Sequence, residues 1–343
     1  MTREPNGQTV FVETSARLHF GLLDLRGTLG RVFGGIGAGA SAPTLLVSAC
    51  PADTLEVQGE DADRAAEFAI RFLAAMGPRA EGEDAGGARV CVHRALPPHA
   101  GLGSGTQLAL AIGRALAEVY GITTDAPGIA RAVRRARRSA IGTWTFAGGG
   151  LVLEGGRPAR NRTGHAGSCV APLLARLPFP PAWRCVVAVP DSAPGMTGAA
   201  EEAAFAELPS PPERDAERVA HLVLMALLPA LVDADLATFG AALSAIQAIT
   251  GRWFAPVQGG TFAPGPSEEL VRRMAEWGAS GVGQSSWGPA VYGIVDGEDA
   301  GRRLAERVRA LSETSGAAVA VYEGPFRTDG ARVWRARAHS VAP

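Results

Sequence analysis

Apolar and polar positions alternate from the start of the chain. Thr9–Phe20 (TVFVETSARLHF) follows a period of two and predicts a strand, as do Leu45–Ala49, Thr54–Gln58 and Arg89–Ala95. Asp61–Met76 changes to a period of three to four, with Asp61 as a capping residue, and predicts a helix. Helices are also predicted over the alanine-rich Thr106–Tyr120, closed by Gly121, and over Asp125–Arg138. In the second half, Arg184–Val189 and Ala317–Tyr322 predict strands. Arg214–Leu231, Leu236–Thr250, Ser267–Trp277 and Glu298–Ser312 predict helices, and Val282–Val295 predicts a loop leading into a strand. Three segments carry too much glycine or polarity for regular structure by this reading. Gly21–Gly39 predicts a loop folded over a site, Gly77–Gly87 a polar loop, and GTWTFAGGGLVLEGG (Gly142–Gly156) a turn into a strand. No internal repeat is visible. Strands followed by helices within each half predict an α+β fold. The proline-rich Ala171–Trp183 marks a boundary, giving domains over 1–175 and 176–327 and a tail over 328–343.

Composition narrows the function. The 343 residues carry a formal net charge of -1, so no overall basic field draws the chain to nucleic acid. All 33 basic residues are arginine, which removes lysine Schiff-base chemistry and a phosphate-loop lysine. Cys50, Cys91, Cys169 and Cys185 are widely spaced without a CxxC pair and are expected as buried, reduced thiols. No stretch is long and apolar enough to span a bilayer, and MTREPNGQTVFVE has no apolar signal core. A cytoplasmic protein with no membrane partner is expected.

Four segments carry candidate chemistry. In LPPHAGLGSGTQLALA, Gly101, Gly103 and Gly105 stand at the start of a helix, where free amides and a partial positive charge suit a phosphate. Ser104 and Thr106 add hydroxyl donors. The alternative is a glycine turn that packs helix on strand. GVGQSSWGPAVYG (Gly281–Gly293) is a second such element, with Gln284, Ser285 and Ser286; the alternative there is a hairpin around a buried Trp287. Two glycine elements in separate halves suggest a polyanion held between domains. On a helix, Arg131, Arg134, Arg135 and Arg138 would share one face without a local acid beyond Asp125. They read either as phosphate ligands or as a solvated face. Finally, Arg17, His19, Asp24 and Arg31 fall within 15 residues, and strand alternation puts Arg17 and His19 on one face.

PPHAGLGSG resembles the Pro-x-x-x-Gly-Leu-Gly-Ser-Ser loop of the GHMP superfamily of small-molecule kinases, and GQSSWGPAVYG stands where that superfamily has its C-terminal glycine motif. Taken in order, RLHFGLLDL, GRVFGGIG, GLGSGTQLALA and GQSSWGP resemble the beta-ribofuranosylaminobenzene 5'-phosphate synthase family of methanopterin biosynthesis. The resemblance implies a GHMP-kinase-like two-domain fold, with a ribosomal-protein-S5-like N-terminal domain and a ferredoxin-like C-terminal domain. It implies a phosphoribosyltransferase that joins 4-hydroxybenzoate or 4-aminobenzoate to phosphoribosyl pyrophosphate with Mg²⁺, releasing CO₂ and pyrophosphate. Gly101, Gly103, Ser104, Gly105, Thr106 and Gln107 would take the pyrophosphate; Gln284, Ser285 and Ser286 would hold the 5'-phosphate or close the site. His19 or Asp24 would take a proton, Arg17 or Arg31 would orient the benzoate, and Gly34 and Gly35 would allow close approach. Asp24, Glu201 and Glu202 stay open as Mg²⁺ ligands, and a homodimer is the expected assembly. Against the kinase pattern, Gly105 replaces the loop's second serine, Thr106 and Gln107 replace two alanines, and lysine is absent. An ATP-dependent kinase and a non-catalytic binder of a phosphorylated ligand are the alternative functions.

Overall fold

In the computed structural model the described residues are 8–78, 87–159, 170–192, 195, 198–315 and 317–337. Cys169 and most of the expected polar loop Gly77–Gly87 lie outside them.

The opening alternation forms β1 (Gln8–Asp24), which continues past Phe20 and turns into a long antiparallel β2 (Arg31–Ala52). The glycine-rich Gly21–Gly39 is therefore mostly hairpin rather than a loop over the site. Its glycines serve close packing. A Cβ on Gly37 would stand 2.3 Å from the carbonyl oxygen of Leu18 and 2.6 Å from Ile141. β3 (Glu56–Gly59), α1 (Ala62–Met76), β4 (Gly87–Arg94), α2 (Ser104–Tyr120) and α3 (Ala126–Ala132) follow. Next come α4 (Ile141–Gly148), β5 (Leu151–Glu154), β6 (Arg157–Pro158) and β7 (Leu173–Leu177). The first sheet runs β12 (Arg332–Arg337), β1, β2, β4, β3, with β5 and β6 on β2 and β7 on β5. Helix α2 fills its inner face, where Leu108, Leu110, Ile112 and Leu116 are buried among Leu18, Phe20 and Val47.

The sequence pattern misplaces two helices here. Ile141–Gly148, expected as part of a turn, is α4: glycine content hid an apolar face, and a Cβ on Gly142 would press on Thr106 of α2. The arginine segment is the reverse case. Helix α3 ends at Ala132, and Arg134 and Ala136 take positive φ values of 57° and 59°. Adjacent like charges without acids to pair weaken a helix, so the shared face expected for Arg131, Arg134, Arg135 and Arg138 does not form.

The second sheet begins with β8 (Trp183–Pro190), followed by α5 (Gly198–Glu207), α6 (Glu213–Leu222), a π turn (Val223–Leu227) and α7 (Leu228–Val232). Then come α8 (Leu236–Gln258), α9 (Pro266–Glu276), β9 (Gly281–Gln284), β10 (Val291–Asp296), α10 (Glu298–Ser315) and β11 (Val319–Pro325). Its order is β11-β8-β10-β9, all antiparallel, with Leu270 and Met274 of α9 and Val308 of α10 buried against Val186 and Val291. Residues 328–343, expected as a tail, include β12 (Arg332–Arg337), which pairs with β1 in the first sheet.

Helix α8 ties the halves together. The Gln247 side-chain amide donates to the carbonyl of Phe20 on β1 at 2.6 Å, and its oxygen accepts from the amide of Gln284 on β9 at 2.9 Å. Each such buried bond contributes roughly 1 kcal/mol net, and more is lost if one partner alone is removed. Among the described residues no helix is long and apolar enough to cross a membrane.

Candidate active site

Between the two sheets lies a cavity of about 620 Å³. Its floor is the loop before α2. Gly101 and Gly103 hold φ values of +79° and +74°, a region open to glycine at little cost, and the second acts as the cap residue of the helix. The loop thereby turns sharply enough to aim the first amides of α2 into the cavity, since helix geometry leaves them without intrahelical acceptors. Gly103, Ser104, Gly105 and Thr106 all line this wall. Gly105 is glycine for a local reason: a Cβ there would fall 2.3 Å from a guanidinium nitrogen of Arg135 and 2.8 Å from one of Arg64.

Arginines surround that helix start. Arg17 runs along the loop, its Nη1 donating to the carbonyl of Gly101 at 3.2 Å and its backbone amide donating to Leu102. Arg64, Arg134, Arg135, Arg137 and Arg138 also line the cavity. The break after α3 brings the last four in: the loop folds inward where a continued helix would have pointed them along one side. Burial, with Arg64 and Arg71 adding repulsion, pulls the Arg135 guanidinium down to about 10; burial does the same for Arg17. The Nε atoms of both are buried without a hydrogen-bond partner. Converged cations with unspent donors at a helix start form a receptor for a multiply charged anion.

The other end of the cavity is aromatic. Phe33, Phe205, Phe254 and Trp287 line it. Phe205 makes edge contacts with the other three at 5.6–5.8 Å between ring centres, and Phe254 meets Trp287 at 4.7 Å. The Arg138 guanidinium lies 5.4 Å over the Phe205 ring and bonds the carboxylate of Glu201. Trp287 is both buried and part of the wall. A second cavity of about 250 Å³ adjoins, sharing Phe33 and Phe205.

Several expected site residues have other work. Arg17 and His19 face the cavity together, as alternation predicts. His19, however, is held down to about 3 by burial and then by Arg17, so its ring is neutral and a poor base near pH 7. Asp24 is absent from the cavity lining; its carboxylate accepts the amides of Arg26 and Gly27 and shapes the β1–β2 turn. Arg31 grips the carbonyls of Gly155 and Gly156 at 2.6 and 2.7 Å. Gly34 and Gly35 pack against Leu23 and Glu154, and neither lines the cavity. These four therefore bear on the site through the hairpin that carries Phe33. Gln107 is buried, bonded to Thr14 and to the carbonyl of Gly142, and anchors α2 instead of meeting a ligand. Ser285 accepts the amide of His19 at 2.9 Å and donates to the carbonyl of Gly101 at 2.7 Å, so its hydroxyl is committed to closing the site. The Gln284 side chain is likewise engaged by Ala263, Gln258 and Ser286, which leaves Ser286 as the cavity-facing hydroxyl of this turn.

Arg64, Phe205 and Phe254 were invisible as site residues in the sequence, because each sits within an ordinary helix pattern and only tertiary packing brings them together. Among the described residues three cysteines are free: Cys185 is buried, with burial pushing its thiol up, whereas Cys50 and Cys91 are half-buried rather than buried as expected.

Comparison with known proteins agrees with this architecture. Residues 64–149 match the family described as GHMP kinases N terminal domain, and residues 227–313 match GHMP kinases C terminal. Homoserine kinase from Cytophaga hutchinsonii superposes with a TM-score of 0.66 at 14% identity, over 97% of this chain and 99% of that one. Mevalonate pyrophosphate decarboxylase from Streptococcus pyogenes gives 0.65 at 13%, over 95% and 99%. Those likenesses concern the fold. Closer in sequence, beta-ribofuranosylphenol 5'-phosphate synthase from Archaeoglobus fulgidus is 36% identical over 84% of this chain and 89% of its own length. The protein of that name from Methanothermobacter thermautotrophicus is 32% identical over the same shares. The chain belongs to the beta-ribofuranosylphenol 5'-phosphate synthase family, built on the GHMP kinase fold.

Proposed function

We propose that this chain is a decarboxylating phosphoribosyltransferase of tetrahydromethanopterin biosynthesis, joining 4-hydroxybenzoate to phosphoribosyl pyrophosphate. One observation supports this above the others: a single cavity has a cationic, amide-rich end and an aromatic end, and so offers a place to a sugar diphosphate and to an arene at once. A phosphate-only ligand gives the aromatic end no purpose. The relatives' name specifies a phenol, which favours 4-hydroxybenzoate over 4-aminobenzoate as the acceptor.

In this reading the α2 amides with Arg17, Arg64 and Arg135 neutralise charge as diphosphate leaves the anomeric carbon. The ring stacks among Phe33, Phe205, Phe254 and Trp287, and its carboxylate-bearing carbon faces the sugar. Attack by that carbon interrupts the ring's aromaticity, and loss of CO₂ restores it. His19 contributes a neutral ring to the cavity wall.

Magnesium fits poorly as an ion caged by protein. Among the described residues no group of three or more His, Cys, Asp or Glu converges. We infer instead an ion that arrives on the diphosphate, with the hydroxyls of Ser104 and Thr106 in the same cavity. Such an ion supplies leaving-group neutralisation beyond what the arginines give.

The test is product analysis. Phosphoribosyl pyrophosphate and 4-hydroxybenzoate should yield pyrophosphate and a ribosylphenol phosphate by mass. The kinase alternative requires ADP from ATP, and its appearance without pyrophosphate would displace this reading.

A further inference from the structure

A phenol is a weak electron donor until it loses its proton, so the proposed reaction needs a base near the ring oxygen. The expected candidates do not serve: the His19 ring is neutral but feebly basic, and the Asp24 carboxylate is spent on two backbone amides outside the cavity. Among the described residues lining the cavity, the carboxylates are Glu201 and Glu202. Glu201 is half-buried, whereas Glu202 is exposed. Glu201 also stands one helical turn before Phe205 on α5, so a single face of that helix presents a carboxylate and an aromatic wall. Arg138 closes the arrangement, bonded to Glu201 while lying over the Phe205 ring. The Glu201 charge also acts on Arg17 and Arg135, which line the same cavity.

We propose that Glu201 is the catalytic base that takes the phenolic proton of the arene, with Arg138 fixing its carboxylate over the aromatic end. This assignment rests on the phosphoribosyltransferase reading. The O–H bond of the phenol breaks and its proton passes to a Glu201 oxygen. The freed electron pair moves into the ring, and the carbon para to it, which carries the carboxylate, bonds to the anomeric carbon as the bond to diphosphate breaks. The bond to the carboxylate then breaks, CO₂ leaves, and its electron pair restores the ring as a phenolate. The phenolate recovers the proton from Glu201. Nothing is oxidised or reduced, and the base is regenerated.

The assignment separates from a structural role by substrate acidity. Glu201→Gln and wild type are assayed with 4-hydroxybenzoate and with 3,5-difluoro-4-hydroxybenzoate, whose phenol ionises unaided. For general-base catalysis we expect Glu201→Gln to lower kcat about 100-fold or more on the first substrate and less than about tenfold on the second. The KM for phosphoribosyl pyrophosphate should stay within about twofold. Glu201→Asp, which keeps a carboxylate, should show an intermediate loss with the same dependence on acidity, and covers the case in which the glutamine variant folds poorly. Equal losses on both substrates, no loss on either, or an acidity-dependent loss in Glu202→Gln alone would overturn the assignment. Wild type that releases no CO₂ would overturn the reaction and this assignment together. Release by wild type with equal losses in the variant would overturn the assignment only.

Discussion

The Arg135 guanidinium lies against Gly105 in the first turn of α2, 2.3 Å from where a Cβ would stand. The near atoms belong to the free end of a side chain, so an alanine there displaces the arginine without breaking the fold. Gly105→Ala should therefore raise the KM for phosphoribosyl pyrophosphate about tenfold, the worth of one charge-assisted contact, with an unchanged melting temperature. Gly101→Ala provides the contrast. Its φ is +79° and a Cβ would meet the backbone oxygen of Ser285 at 2.1 Å, so stability itself should fall by about 2–4 kcal/mol. Steady-state kinetics and urea unfolding on both variants check the pair; an unaltered KM in Gly105→Ala would remove Arg135 from the donor site.

His19 makes a prediction about what is missing from a pH profile. Its pKa of about 3 leaves it neutral through the range in which the enzyme is assayed. Between pH 5.5 and 8 the kcat profile of His19→Asn should keep the shape of wild type even where its height drops. A limb near pH 6.5 that disappears in the variant would show that His19 titrates during turnover.

Glu154 links two segments that flank the site. Its carboxylate accepts the amide of Gly156, beside the carbonyls that Arg31 holds, and that of Ala140, at the end of the arginine loop. Burial pushes it from 4.5 up to about 7, the two amide bonds and Arg31 opposing the shift. A carboxyl raised in the folded state favours folding fully below its unfolded pKa, and that contribution is lost as pH rises through the folded value. Stability from this group should thus decline by about 3 kcal/mol between pH 4.5 and 7 and then level off. Urea midpoints for wild type and Glu154→Gln at pH 5 and pH 8 measure it: the variant's difference between the two should be smaller. An equal difference would place the dependence elsewhere.

Chelation tests how magnesium enters. With no protein cage, Mg²⁺ alone should show no measurable binding heat, whereas phosphoribosyl pyrophosphate should bind more tightly in its presence. Tight binding of the ion to the free protein would contradict an ion carried by the donor.

The chemistry-bearing loops were readable in the sequence because their logic is local. Glycines at positive φ before a helix, and a strand placing Arg17 and His19 on one face, need only a few neighbouring residues. The aromatic end was not readable. Phe33, Phe205, Phe254 and Trp287 lie far apart along the chain and meet only when α5 and α8 pack beside the hairpins. The arginine segment failed for a different reason: its spacing suits a helix, but its unpaired charges favour the turn at Arg134 and Ala136. Likewise, the glycines of β2 and α4 signal close packing, and composition alone made them look like loop.

The central claim is that one cavity joins a sugar diphosphate to an arene as the arene loses its carboxylate. Its most direct test is incubation of the purified chain with carboxyl-labelled 4-hydroxybenzoate, phosphoribosyl pyrophosphate and Mg²⁺. The account predicts labelled CO₂ and pyrophosphate in equal amounts, without ATP. Label retained in the arene, with turnover only when ATP is supplied, would contradict it.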